Sequence, residues 1–186
     1  MNTEFPHRYE CQHLVEMPSL TSTPHYYFPG ASTEGGKDGL IVEVCVEKAP
    51  KWLGTFAFGT LSPKGMSGIF TTPDPNRLCV VSRGSGFLVA AADPNKWAMV
   101  RAVPIVDVRP VVAQGILVFA TLTDLVAYNE AGIKWRTKRL AWDGLTLTGV
   151  TETVIAGTFY DIRKEARGTF VVDLTTGEHE GGIGRV

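Results

Sequence analysis

The chain reads as all-β. Short apolar runs recur roughly every 8 to 12 residues with a turn signal between each, the spacing of sandwiches, barrels and propellers. Alternation with a period of two is clear in several of those runs, and no long stretch has helical periodicity. A unit of the form apolar strand, turn, apolar strand, Asp or Asn, Gly, Trp also repeats along the chain. It is fullest at Gly115 to Trp135, GILVFATLTDLVAYNEAGIKW. A cruder copy is LCVVSRGSGFLVAAADPNKW at Leu78 to Trp97, and a third runs from Leu147 to Gly177, ending FVVDLTTG. The expected fold is an antiparallel two-sheet sandwich or a partial β-propeller, preceded by an irregular N-terminal extension.

Residues 1–37 are expected to form that extension, and residues 38–186 the all-β blade-like domain. The first segment carries Pro6, Pro18, Pro24 and Pro29 and three of the four histidines. QHLVEM is a short strand or a turn of helix in this reading, the remainder extended chain and loop. The Gly-rich stretch EGGKDG lacks phosphate-loop spacing and reads as a flexible turn. From Leu40 the pattern is strand: LIVEVCVE sets Val42, Val44 and Val46 against Ile41, Glu43, Cys45 and Glu47. Trp52 to Thr60 continues as strand, and Ser62 to Gly68 and TTPDPN are turns. LCVVS and FLVAA flank a hairpin turn at Arg83-Gly84-Ser85-Gly86. Asp93 followed by Pro94 is an N-cap signal, so Pro94 to Val100 is expected as a short helix. VVAQGILVFA and DLVAYN flank Thr121-Leu122-Thr123. LTLTGV, TVIAGTFYDI and GTFVVDL are joined by turns at Thr151-Glu152 and Arg163 to Gly168. The closing EGGIGRV reads as a frayed tail.

Composition bounds the partners. The 186 residues are 44% hydrophobic with a formal net charge of −1, enough to bury a core without metal or disulfide and without a global field toward nucleic acid or anionic membrane. The three cysteines, with no CxxC and with Cys45 and Cys79 inside apolar runs, favour a reducing, cytoplasmic setting. The N-terminus has no signal-peptide pattern, and no apolar run reaches the ~18 residues of a membrane span.

GILVFATLTDLVAYNEAGIKW resembles one blade of the quinoprotein-like (PQQ/WD-type) β-propellers at Gly115, Asp124, Ala127, Asn129, Gly132 and Trp135. FVVDLTTGE resembles the second strand of another blade. The resemblance covers about residues 77 to 180 and implies blade architecture, with Trp135 as a structural anchor. A complete ring takes at least ~4 blades of roughly 40 to 50 residues. Two to three blade-like sheets are expected here, so the pyrroloquinoline cofactor is not carried over and no cofactor is expected.

Candidate sites are few. His7, Cys11, His13 and His25 offer ligand-type side chains at a spacing that fits no standard zinc site, so no metal is expected. Lys134, Arg136 and Lys138 share a strand face beside Trp135, near Arg139 and Trp142; with net charge −1 they read as a solvated face rather than a nucleic-acid strip. Of Asp93, Asp107, Asp124, Asp143, Asp161 and Asp173, most lie at strand ends or in turns, where Asp bonds nearby backbone N–H groups. The expected function is a non-catalytic protein that recognises a protein partner through loops or a sheet edge, as small bacterial immunity or defence proteins do. Trp52, Trp97, Lys134, Arg136, Lys138 and Trp142 are the candidate contact residues. Open edges also make a homodimer an expected state. The alternative is a small hydrolase using an Asp or a Cys11–His13 or Cys11–His25 pair.

Overall fold

The computed structural model describes residues 1–18, 22–30, 33, 38–59 and 64–183. Among them are sixteen strands in four four-stranded sheets, and one 3-10 turn at Val112–Gln114. The chain divides into two compact units, Met1–Pro104 and Ile105–Val186, each holding two of the sheets.

The first sheet of the first unit contains β1 (Tyr9–Leu14), β2 (His25–Phe28), β3 (Gly39–Val46) and β4 (Trp52–Ala57), in the order β1-β3-β4-β2. Its centre is the β3–β4 antiparallel pair, where Val42 and Val44 point inward as their alternation predicts. Strand β1 runs antiparallel to β3, with Tyr9, Cys11 and His13 opposite Val46, Val44 and Val42. Strand β2 lies parallel to β4, with Phe28 opposite Phe56. The segment expected to be irregular therefore supplies both edge strands of this sheet, and the boundary expected after residue 37 falls inside the first unit. QHLVEM, expected as a short strand or a turn of helix, overlaps β1 at Gln12–Leu14; β2 has no clean apolar alternation and pairs in parallel with a strand far along the chain, so local pattern does not reveal it. Part of the Gly-rich turn (34–37) and of the expected 62–68 turn (62–63) lies outside the described residues, as does Thr60.

The second sheet is a meander of β5 (Gly68–Thr71), β6 (Arg77–Ser82), β7 (Ser85–Ala90) and β8 (Asp93–Met99). Ser82 pairs with Ser85, so Arg83 and Gly84 are the two-residue turn, with φ of 41° and 84°. Two positive φ values define the primed turn that matches strand twist. The expected helix at Pro94 to Val100 is instead β8: Trp97, Ala98 and Met99 pair with Val89, Leu88 and Phe87 across a bulge. Asp93 does cap, but it caps a turn, accepting from the Asn95 backbone N–H at 3.2 Å. Beyond it the tertiary demand on Trp97 wins. Its ring sits edge-on to Phe28 at 5.7 Å, while Phe28 stacks on Phe56 at 4.5 Å.

In the second unit, β9 (Asp107–Val111), β10 (Ile116–Ala120), β11 (Leu125–Asn129) and β12 (Gly132–Arg136) form one meander. Strand β10 is buried on both faces. The other meander is β13 (Thr146–Val150), β14 (Val154–Asp161), β15 (Ala166–Asp173) and β16 (His179–Gly181). The closing EGGIGRV, expected to fray, thus begins inside a paired strand, with Glu180 opposite Val171 and Gly181 opposite Phe170; residues 184–186 lie outside the described residues.

One device recurs in both units. The Trp135 indole N–H on β12 donates to the Leu174 carbonyl of the next sheet at 2.8 Å. The Trp52 indole N–H on β4 donates at 2.8 Å to the Ala91 carbonyl at the end of β7. Both partners lie 39 residues on. Under Trp135 the chain turns through Gly177, at φ +76°, where an added Cβ would stand 2.8 Å from the ring. Tryptophan therefore clamps one sheet to the next within each unit, and the three sequence repeats become four sheets once β1 and β2 are counted.

Candidate partner-binding surface

Of the tryptophans expected at a contact surface, Trp52 is in the core at 3% exposure, held by its bond to Ala91. A buried indole at that position is the clamp just described and presents nothing to a partner. Trp97 is half-buried against Phe28 and Phe87. Trp142 is partly exposed and, among the described residues, has two guanidinium groups over its ring.

The basic strip divides in the same way. Strand β12 ends at Arg136, so Lys138 lies beyond the ladder. Arg136 is committed to Asp124 at 2.7 Å. Asp124 is buried, accepts a hydrogen bond from the Thr121 hydroxyl, and closes the Thr121–Asp124 turn. Lys134 is half-buried. Lys138 and Arg139 are exposed.

Around Trp142 the chain forms a small cationic surface. The Arg139 guanidinium carbon is 5.2 Å from the Trp142 ring centroid, and that of Arg163 is 4.8 Å away. Both distances are within the range where a cation is attracted to the ring quadrupole. Arg139 is oriented by its own turn: Nε donates to the Ala141 carbonyl at 3.1 Å and Nη2 to the Trp142 carbonyl at 3.2 Å. Arg163 reaches the ring from the tip of the β14–β15 hairpin. That tip is tied by Asp161, whose carboxylate accepts from the Arg163 backbone N–H at 3.0 Å. Its outermost apolar residue is Ile162, 64% exposed.

Asp93, Asp161 and Asp173 accept from backbone N–H groups in their own turns. Asp173 accepts at 2.8 Å from the backbone N–H groups of both Thr175 and Thr176, and these bonds, that of Thr176 foremost, hold its carboxyl below the usual range. Asp107 pairs with Arg109 at 2.8 Å.

The histidine and cysteine set does not converge. His25 is on β2 and Cys11 on β1, the opposite edges of one sheet, separated by three strand spacings or about 14 Å. That removes the Cys11–His25 pair and any four-ligand site drawn from this set. Among the described residues no three His, Cys, Asp or Glu side chains come within metal-holding reach of one another. His25 Nε2 is 2.8 Å from the Thr55 hydroxyl, and burial holds its imidazole below the usual range. Burial also pushes the Cys11 thiol up to about 11, away from the thiolate that nucleophilic chemistry needs. A groove of about 930 Å³ opens beside β1, lined by His7, Arg8, Glu10 and Glu47 among others. Its charges are of both signs and point to no one ligand.

The chain is thus an all-β protein of four-stranded, blade-like sheets joined in pairs by tryptophan clamps. No protein-family model and no curated protein matches it. Among solved structures it is similar to the N-terminal domain of Nup159, with 14% identity and a TM-score of 0.46 over 97% of this chain and 51% of that one. It is also similar to a chain in a Saccharomyces cerevisiae complex of Dbp5 bound to Nup159, Gle1, IP6 and ADP, with 12% identity and a TM-score of 0.45 over 96% and 50%. The chain spans about half the length of each.

Proposed function

We propose that this protein is a non-catalytic binding module that recognises a protein partner through the surface around Trp142. The observation that carries the reading is the pair of guanidinium groups at 5.2 and 4.8 Å from one half-exposed indole. Tryptophan and arginine are the residue types that most often dominate interface energetics, because each offers a large rigid contact area together with directional polar groups. Exposed Ile162 beside Arg163 adds an apolar contact. Kinship with the quinoprotein-like blades is supported by the Gly115 to Trp135 unit and by the packing of Trp135 over Gly177. The three free thiols favour a cytoplasmic setting.

Site-specific photocrosslinking tests this. A benzoylphenylalanine placed at Ile162 in the full chain is expected to capture a protein in the native cell, and Arg163→Glu to abolish the adduct. The same probe at Gln12, exposed on β1, is the control. Equal capture from both positions, or an adduct at Ile162 that survives Arg163→Glu, contradicts the proposal.

A further inference from the structure

We infer that the segment bound at Trp142 is an acidic peptide, with carboxylates that bridge Arg139 and Arg163 and an apolar residue that meets Ile162; this rests on the binding-module reading above. Charge comes first. Lys138, Arg139, Arg163, Lys164 and Arg167 are all exposed, and these five of the chain's 18 basic residues fall on two short segments. The same two segments also carry Asp143, Asp161 and Glu165, five basic residues against three acidic, so they hold a net positive charge on a chain whose net charge is −1. A local field of that kind selects an anionic partner and speeds its encounter.

The state of the donors comes second. Arg139 uses Nε and Nη2 on backbone carbonyls, which leaves part of its five-donor fork for a ligand. The Arg163 guanidinium lies on the indole, and among the described residues neither arginine forms an ion pair with a carboxylate. The nearby Asp161 is turned inward onto its own hairpin, accepting from the Arg163 backbone, with Lys164 Nζ at 4.0 Å. Stacking and backbone bonds hold both guanidiniums in place before a ligand arrives, so less side-chain entropy is lost when a carboxylate is gripped in the bidentate manner.

The chemistry of the platform decides between polyanions. Single-stranded nucleic acid needs an open aromatic face on which a base can stack. Here two guanidiniums already stand within about 5 Å of the half-exposed Trp142 indole. Exposed Ile162 at the hairpin tip offers an aliphatic contact that suits a peptide side chain.

The test is fluorescence anisotropy of the full chain with three labelled probes: an eight-residue Asp/Glu peptide with a central Leu, its Asn/Gln counterpart, and an oligothymidylate of equal length. The acidic peptide is expected to bind about tenfold tighter than the amide peptide, as befits charge-assisted bonds, and to weaken as salt is raised. Arg163→Ala is expected to cost about fivefold or more and Arg163→Lys less, because lysine keeps the charge but not the fork. Arg109→Ala, remote in sequence and paired with Asp107, is the control for general charge loss, and far-UV circular dichroism checks each variant's fold. Equal affinity for the two peptides overturns the acidic assignment, and if crosslinking at Ile162 still succeeds, the binding-module reading stands without it. Tighter binding of the oligothymidylate, no binding of any probe, or indifference to Arg163→Ala also overturns the inference.

Discussion

Replacing Trp135 with phenylalanine removes one hydrogen bond and part of one ring from the junction between two sheets. Trp135 is 7% exposed, and its indole N–H donates to the Leu174 carbonyl at 2.8 Å. Leaving that buried carbonyl without its donor costs about 1–2 kcal/mol. The smaller ring leaves about 40 Å³ unfilled, worth about 1 kcal/mol at the usual cavity coefficient. The sum, about 2–3 kcal/mol, corresponds to a fall in Tm of about 4–12 °C for a chain of this size. Gly177→Ala attacks the same junction from beneath. It forces a left-handed residue, costing about 1–2 kcal/mol, and sets a Cβ 2.8 Å from the Trp135 ring. Because both changes act on one contact, the double variant should lose less than the sum of the singles. Thermal unfolding followed by near- and far-UV circular dichroism reads these values, and coincidence of the two signals checks that a single transition is being measured. A Tm fall below about 1 °C for Trp135→Phe, or strict additivity of the pair, refutes the clamp.

Four further outcomes follow from the structure. Arg136→Ala should lower stability by about 1 kcal/mol, since the arginine is half-exposed and its pair with Asp124 is partly screened, yet leave acidic-peptide affinity unchanged in the anisotropy assay. The folded His25 imidazole titrates below its unfolded value, so its contribution is complete above about pH 6.5 and is lost as pH falls through the folded value; Tm should drop on acidification, less so in His25→Gln. Asp173, also depressed, contributes above its unfolded value and loses that contribution as pH falls through the folded one; Asp173→Asn should lower Tm at neutral pH and narrow its difference from the parent in acid. Cys79 is fully buried, and burial drives its thiol pKa upward; in native protein it should resist maleimide while Cys45 reacts, and it should become labelled only on unfolding.

The parts of this fold legible in the sequence are those set by near neighbours. The β6–β7 hairpin shows itself through Arg83-Gly84, because a two-residue turn between strands demands positive φ. The Gly115 to Trp135 unit is readable because strand, turn and anchor fall within one meander. Strand β1 is legible only in part, through QHLVEM, and β2 not at all, because what orders them lies far along the chain: Cys11 is extended by Val44, and Tyr27 by Thr55. At Pro94 a local cap signal points to helix, and the aromatic cluster around Phe28 overrides it by drawing Trp97 inward. Of the proposed surface, Trp142 and Lys138 are visible in sequence as aromatic and basic residues in one stretch, whereas Arg163 joins them only through the β14–β15 hairpin, and no spacing rule links positions 142 and 163. Trp52 is equivalent to Trp142 in sequence, and its bond to the Ala91 carbonyl is what marks it as a clamp.

The chain has four tryptophans, so its indole N–H groups give four resonances in a ¹⁵N–¹H correlation spectrum. Two of them, Trp52 and Trp135, are bonded to backbone carbonyls in the interior. Titrating the full chain with the acidic peptide is the most direct test of a recognition surface at Trp142. The account predicts that the Trp142 indole resonance shifts progressively and saturably, that those of Trp52, Trp97 and Trp135 stay in place, and that Arg163→Ala suppresses the shift. A Trp142 signal that does not move, or movement centred on Trp97, contradicts it.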